Sequence, residues 1–171
     1  MRILGLDPGI ATVGFGIVDS AANKLALVSC GVIVTPANTS LSSRLDQIYS
    51  DVTTLCEKFK PDEIACEELF FNTNHKTGIA VAQGRGVLLL AGYRYGVPLY
   101  EYTPLQVKQA VVGYGRAEKN QIIDMVRRLL NMSANPKPDD AADALAVAIC
   151  HARSATSLLM KRGGASQCST I

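Results

Sequence analysis

The sequence predicts a single α/β domain built on a mixed sheet of five strands, three antiparallel and two parallel, flanked by helices. Three observations carry this reading. The first 34 residues hold three strand-like runs joined by tight turns, which read as an antiparallel meander. Two helical patterns then alternate with two short apolar strands, and a helix between core strands makes a crossover that leaves them parallel. After the fifth strand only helical patterns follow. At 171 residues the chain is long enough for one domain with a sizeable core, and it has neither internal repeats nor an interdomain linker. Residues 1–156 are assigned to the domain and 157–171 to a tail expected to be disordered.

Each element has its own signal. Ile3, Leu4 and Leu6 make a short core strand that stops abruptly at Asp7-Pro8-Gly9. Residues 11–18 alternate Thr12, Gly14 and Gly16 with Val13, Phe15 and Ile17, a period-two strand with one light face. Glycine there lets something approach closely, either a helix or a substrate backbone. A turn over 19–23 leads to a third strand, 24–34. Ser40 caps a helix in which Leu41, Leu45, Ile48, Val52, Leu55 and Phe59 recur at four-three spacing, and Lys58, Lys60 and Pro61 close it. Residues 62–69 read as a buried strand and 70–77 as a polar loop opened by two aromatics.

Residues 78–95 read as a helix despite their glycines. Gly78, Ala82 and Gly86 line a small-residue stripe, and Val87, Leu88, Leu89 and Leu90 are apolar nearly all round. Burial on more than one side follows, either within the monomer or against a second copy. Residues 97–102 make the last strand. Thr103 or Pro104 opens a short helix to Val112, a basic glycine loop spans 113–116, and 117–131 form a helix with Ile122, Val126, Leu129 and Leu130 inward. Pro138 begins an alanine-rich helix to about Ala155.

The bulk numbers exclude several classes. A chain that is 48% hydrophobic and 19% charged is globular. A net charge of +2 does not mark a nucleic-acid binder by itself, so basic residues matter only where the fold clusters them. Five cysteines with no CxxC pair read as free thiols in a reducing compartment. There is no leader-like opening segment and no apolar run of membrane-spanning length, so a cytoplasmic protein without a membrane partner is expected.

Carboxylates collect in three places. Asp7 ends the first strand on a stiff turn, where Asp also serves simply to cap a turn. Glu67 and Glu68 end the fourth strand; alternation places Glu67 on the Ala65 face, opposite Ile64 and Cys66, and one of the two is free to be a surface residue. Asp139, Asp140 and Asp143 open the last helix. The first two suit the positive helix end. Asp143 lies among Ala142, Ala144, Leu145 and Val147, on the face of Asp140, where an unpaired carboxylate costs roughly 1–3 kcal/mol or more. A divalent cation removes that penalty and the repulsion together. If the first and fourth strands are neighbours, their carboxyl ends present Asp7 and Glu67 to one crevice. Oxygen-only donors without a His or Cys cluster suit Mg²⁺, or Mn²⁺, and two such ions suit phosphodiester cleavage. Lys108, Arg116 and Lys119 flank the glycine loop, where they either bind phosphates or form a solvated face.

GLDPGIATVGFGIVD, ACEELF, VKQAVVGYGRAEK and NPKPDDAADALAVAI, in this order and at these separations, resemble the RuvC family of Holliday-junction resolvases over about residues 1–155. The resemblance implies a ribonuclease-H-like fold, a homodimer, and Mg²⁺-dependent symmetric nicking of four-way DNA junctions in recombination and repair. It implies Asp7, Glu67, Asp140 and Asp143 as the catalytic, metal-holding acids, Phe70 as an aromatic at the junction, Lys108 and Lys119 near the DNA backbone, and a branch-migration helicase complex as partner. Asp139 is an extra acid beside the pattern. Three rival readings share parts of this pattern: an ATPase of the actin and sugar-kinase type, which needs two such domains; a module that binds junctions without cutting; and an RNA-processing nuclease on the same fold.

Overall fold

The computed structural model describes residues 1–22, 24–69 and 75–164, and the side chains of all of these except 75–77 and 155–164. Strands β1 (Arg2–Asp7), β2 (Thr12–Ala21) and β3 (Lys24–Val34) are followed by α1 (Leu41–Phe59), β4 (Glu63–Glu67), α2 (His75–Tyr95) and β5 (Leu99–Tyr102). Three helices complete the chain: α3 (Pro104–Val112), α4 (Lys119–Leu129) and α5 (Asp139–Gly164). The sheet order is β3-β2-β1-β4-β5. The β1–β2 and β2–β3 pairs are antiparallel, and β1–β4 and β4–β5 are parallel, as the crossovers require.

The pleat divides the core into two. Leu4, Leu6, Val13, Ile17, Ile64 and Cys66 face α1 and α2, where Ile48, Val52, Cys56, Leu88 and Ala91 close over them. Ile3, Val18 and Ala65 face α3, α4 and α5, with Val107, Val111, Ile122, Val126, Leu145 and Ile149. α1 starts where the Ser40 side chain accepts from the Ser43 backbone N–H at 3.2 Å, and ends with Lys60 in the left-handed region. Its buried line is Ile48, Val52 and Cys56, while Leu41 at the first turn is exposed. Thr103 caps α3 in a reciprocal capping box with Gln106.

Several bounds differ from the sequence reading. β2 runs on through the expected turn to Ala21, and α2 begins at His75, three residues before the stripe at Gly78. α5 continues past Ala155 to Gly164. The glycine and serine content of the last residues suggested an early end, but 156–162, TSLLMKR, hold mostly straight-chain helix formers. Residues 165–171 lie outside the described residues.

The light face of β2 meets a helix. A Cβ on Gly5 would fall 2.1 Å from the Ala144 carbonyl oxygen, one on Gly14 would fall 2.0 Å from that of Asp140, and one on Gly16 would meet Leu145 at 2.7 Å. These three glycines let α5 lie with its backbone directly on β1 and β2. Ala141, Ala144 and Ala148 are wholly buried there, so the contact is smooth as well as close.

Candidate active site

Strand parity builds the first half of the site. Ile3 belongs to the core on the α5 side and Gly5 lies under Ala144, so Asp7 points to that face too. The same alternation along β4 takes Ala65, and with it Glu67, to that side, away from Ile64 and Cys66. Because Leu6 pairs with Cys66 in the parallel register, Asp7 and Glu67 end neighbouring strands side by side. Glu67 pairs in turn with Tyr102 of β5.

Helix α5 supplies the second half. The Asp140 carbonyl sits over Gly14, the β2 partner of Asp7. The close approach that glycine permits is therefore what carries the start of α5, with Asp140 and Asp143, over the strand ends. Glu67 and Asp143 line one cleft of about 190 Å³ with Lys108, Pro104, Val107, Ile122 and Ala146.

The electrostatics are those of crowded acids. Burial, then Asp143, Glu67 and Asp140, push the Asp7 carboxyl up to about 8. Burial and then Asp143 push Glu67 up to about 7, against the pull of Lys108 and Lys119. Asp143 is raised as well, chiefly by burial, although Lys119 opposes the rise. The Lys119 ammonium lies 3.1 Å from Asp143 and 3.4 Å from Asp139. Burial works against its charge, but the two carboxylates outweigh that and hold its pKa above the ordinary lysine value.

Among the described residues, no three His, Cys, Asp or Glu side chains stand close enough together to hold a metal ion as they are placed. Their chemistry nevertheless suits one. Every donor is a carboxylate oxygen, the set suffers from too little positive charge, and Asp143 pairs with the Lys119 ammonium.

Of the other residues singled out, Lys108 lines the cleft and Lys119 reaches into the acids, while Arg116 is exposed on the loop between α3 and α4. Phe70 lies outside the described residues. Asp139 is the most exposed of the acids that Lys119 holds, its side chain 62% accessible. Two residues escaped the sequence reading. Arg85 of α2 donates from Nε to the Glu67 carbonyl at 3.3 Å and pairs with Glu101, bracing the end of β4 from the opposite face. His151 of α5 is buried against β4 and β5. Its one signal was a titratable ring inside an apolar helical run.

The sequence profile of the crossover junction endodeoxyribonuclease RuvC family matches residues 3–151. A protein of that name from Syntrophomonas wolfei is 54% identical over 154 residues, covering 90% of each chain. Among solved structures, Thermus thermophilus RuvC superposes with a TM-score of 0.85 at 36% identity, over 92% of this chain and 96% of that one. The same protein in complex with a Holliday junction substrate gives a TM-score of 0.84 at 34% identity, with the same coverage.

Proposed function

The chain belongs to the crossover junction endodeoxyribonuclease (RuvC) family, and from this premise we propose that it resolves four-way DNA junctions by metal-dependent nicking of two symmetry-related strands. One observation supports the chemistry above the others: acids from β1, β4 and α5 gather where two parallel strands end, and burial and repulsion raise the carboxyls of Asp7, Glu67 and Asp143. Asp7, Glu67, Asp140 and Asp143 would hold Mg²⁺, with Mn²⁺ able to replace it, at two ions per site. Held there, such ions would supply water activation and charge stabilisation at the leaving oxygen of a phosphodiester.

The chain's own residues do the rest. Lys108 at the cleft wall and Lys119 beside Asp143 are placed to meet a backbone phosphate, and Arg116 extends the basic rim. Lys119 balances Asp143 and Asp139 until another cation does so. Phe70, three residues beyond Glu67 in the chain, would stack on bases at the opened crossover, a contact worth roughly 1–3 kcal/mol. With acids at the centre and bases at the rim, a net charge of only +2 is compatible with a DNA-cutting enzyme.

Two equivalent cuts require two sites, which a two-fold dimer supplies. The outer face of α2 suits that contact. Gly86 is open to solvent and its stripe partners Gly78 and Ala82 are half-buried, while Ile79, Leu90 and Tyr93 are 62%, 48% and 82% exposed. A branch-migration helicase complex is the partner that family membership suggests, and cytoplasm the compartment.

The test is a synthetic four-way junction incubated with protein and Mg²⁺, with nicks mapped on all four strands. Paired nicks at symmetric positions are expected, with none on linear duplex. Glu67→Gln, Asp140→Asn and Asp143→Asn should each stop cutting while junction binding survives. A variant that still cuts removes its residue from the site.

A further inference from the structure

Building on the metal-holding acids proposed above, we infer that His151 is a positioning residue: its bonds to Glu63 and Tyr102 latch α5 to the sheet at the point that brings Asp143 to Glu67. The ring is 1% exposed. Its Nδ1 lies 2.7 Å from the Tyr102 hydroxyl, its Nε2 bonds the Glu63 carboxylate, and the Tyr100 ring lies beside it at 4.7 Å between centroids. With the proton on Nε2, the ring donates to Glu63 and accepts from Tyr102, so both nitrogens are satisfied.

The latch answers a weakness of the contact it secures. α5 meets β1 and β2 largely through alanine on glycine, a smooth contact whose hold along the helix axis comes from few larger side chains. Leu145 over Gly16, and Ile149 in one cluster with Ile3 and Val18, are its larger apolar groups there. His151 adds bonds with direction, which dispersion contacts lack.

The geometry also acts as a ruler. His151 follows Asp143 by eight residues, about 12 Å of helix. Glu63 precedes Glu67 by four, about 13 Å of strand. The two lengths run in opposite directions and nearly match, so joining His151 to Glu63 at one end sets Asp143 against Glu67 at the other. Tyr102, the second anchor, is the register partner of Glu67 itself.

The test uses the full chain and three readouts: Mn²⁺ binding by calorimetry without DNA, junction affinity in EDTA, and single-turnover cleavage. His151→Leu is expected to weaken Mn²⁺ binding and slow cleavage by roughly 10-fold or more, with metal-free junction affinity unchanged. His151→Gln, whose amide reaches Glu63 as Nε2 does, should recover most of both. Wild-type Mn²⁺ affinity and cleavage in His151→Leu, with only a lower melting temperature, would overturn the inference. Should His151→Leu not fold, Tyr102→Phe decides: weaker Mn²⁺ binding supports the latch and wild-type binding overturns it. Asp7→Asn runs alongside, and unchanged Mn²⁺ binding there would remove the metal reading whatever His151 does.

Discussion

Replacing Asp7 by Asn should stabilise the metal-free protein while ending its activity, and the gain should depend on pH. The Asp7 carboxyl is raised from an ordinary 3.8 to about 8 by burial and by Asp143, Glu67 and Asp140. Between those values the unfolded chain carries an ionised Asp7 and the folded chain a protonated one. Folding therefore takes up a proton, and stability falls as pH rises through the window. Below it the residue contributes nothing. Asn is neutral throughout and lacks this slope. Integrated from 3.8 to pH 7, the wild-type penalty has a ceiling of about 4 kcal/mol, and rotation of the neighbouring acids brings it to about 2–4 kcal/mol. For a domain of this size that is a rise in melting temperature of about 5–15 °C. The assay is thermal and urea unfolding in EDTA at pH 5, 7 and 8, with and without added Mg²⁺. The variant's advantage should widen from pH 5 to pH 8 and shrink when Mg²⁺ is added, because the ion stabilises only the protein that binds it. Equal stabilities at pH 8, or an advantage that ignores pH, would refute the account of Asp7 as a strained acid.

Three further substitutions probe other parts of the same arrangement. Gly14→Ala places a methyl 2.0 Å from the Asp140 carbonyl, so α5 must lift; urea melts should show a loss of about 1–3 kcal/mol and cleavage should fall with it. Lys119→Met removes the ammonium 3.1 Å from Asp143, and titrations at several salt concentrations should find weaker junction binding and a salt slope reduced by about one. Ala82→Leu fills the small-residue stripe on α2 and should shift sedimentation toward monomer; an unchanged dimer would take the stripe out of the interface.

Much of this was legible because strands and helices have short periods. Two-residue alternation put Asp7 with Gly5 and Glu67 with Ala65, and the order of elements placed their strands together. Alternation alone left open what would approach Gly14 and Gly16; α5 decides it. The position of Asp143 among alanines announced a half-buried carboxylate, and 31% of its side chain is accessible. His151 was not legible, because its partners Glu63 and Tyr102 lie 88 and 49 positions away and only the folded sheet brings them to one ring. Arg85 was missed for the same reason, since its acceptor is a main-chain carbonyl that no side-chain pattern encodes.

The division between acids and bases follows from what each must do. Asp7 and Glu67 end strands of the central sheet, and Asp140 and Asp143 begin a helix seated directly on it, so the backbone that carries the acids moves only if the core does. Catalytic groups need that stiffness, because small errors of placement are costly in rate. Lys108, Arg116 and Lys119 instead occupy α3, α4 and the loop between them, at half-buried or exposed positions where long side chains adapt to a phosphate. Perturbing the two groups should therefore separate cleanly. Changes beneath α5, at Gly14 or His151, act on ion binding and leave junction affinity in EDTA alone. Changes at Lys108 or Arg116 do the reverse, whereas Lys119, paired with Asp143 and Asp139, acts on both. A core variant that lost metal-free junction affinity, or a rim variant that lost ion binding alone, would mean that the cleft and its border share one structural unit.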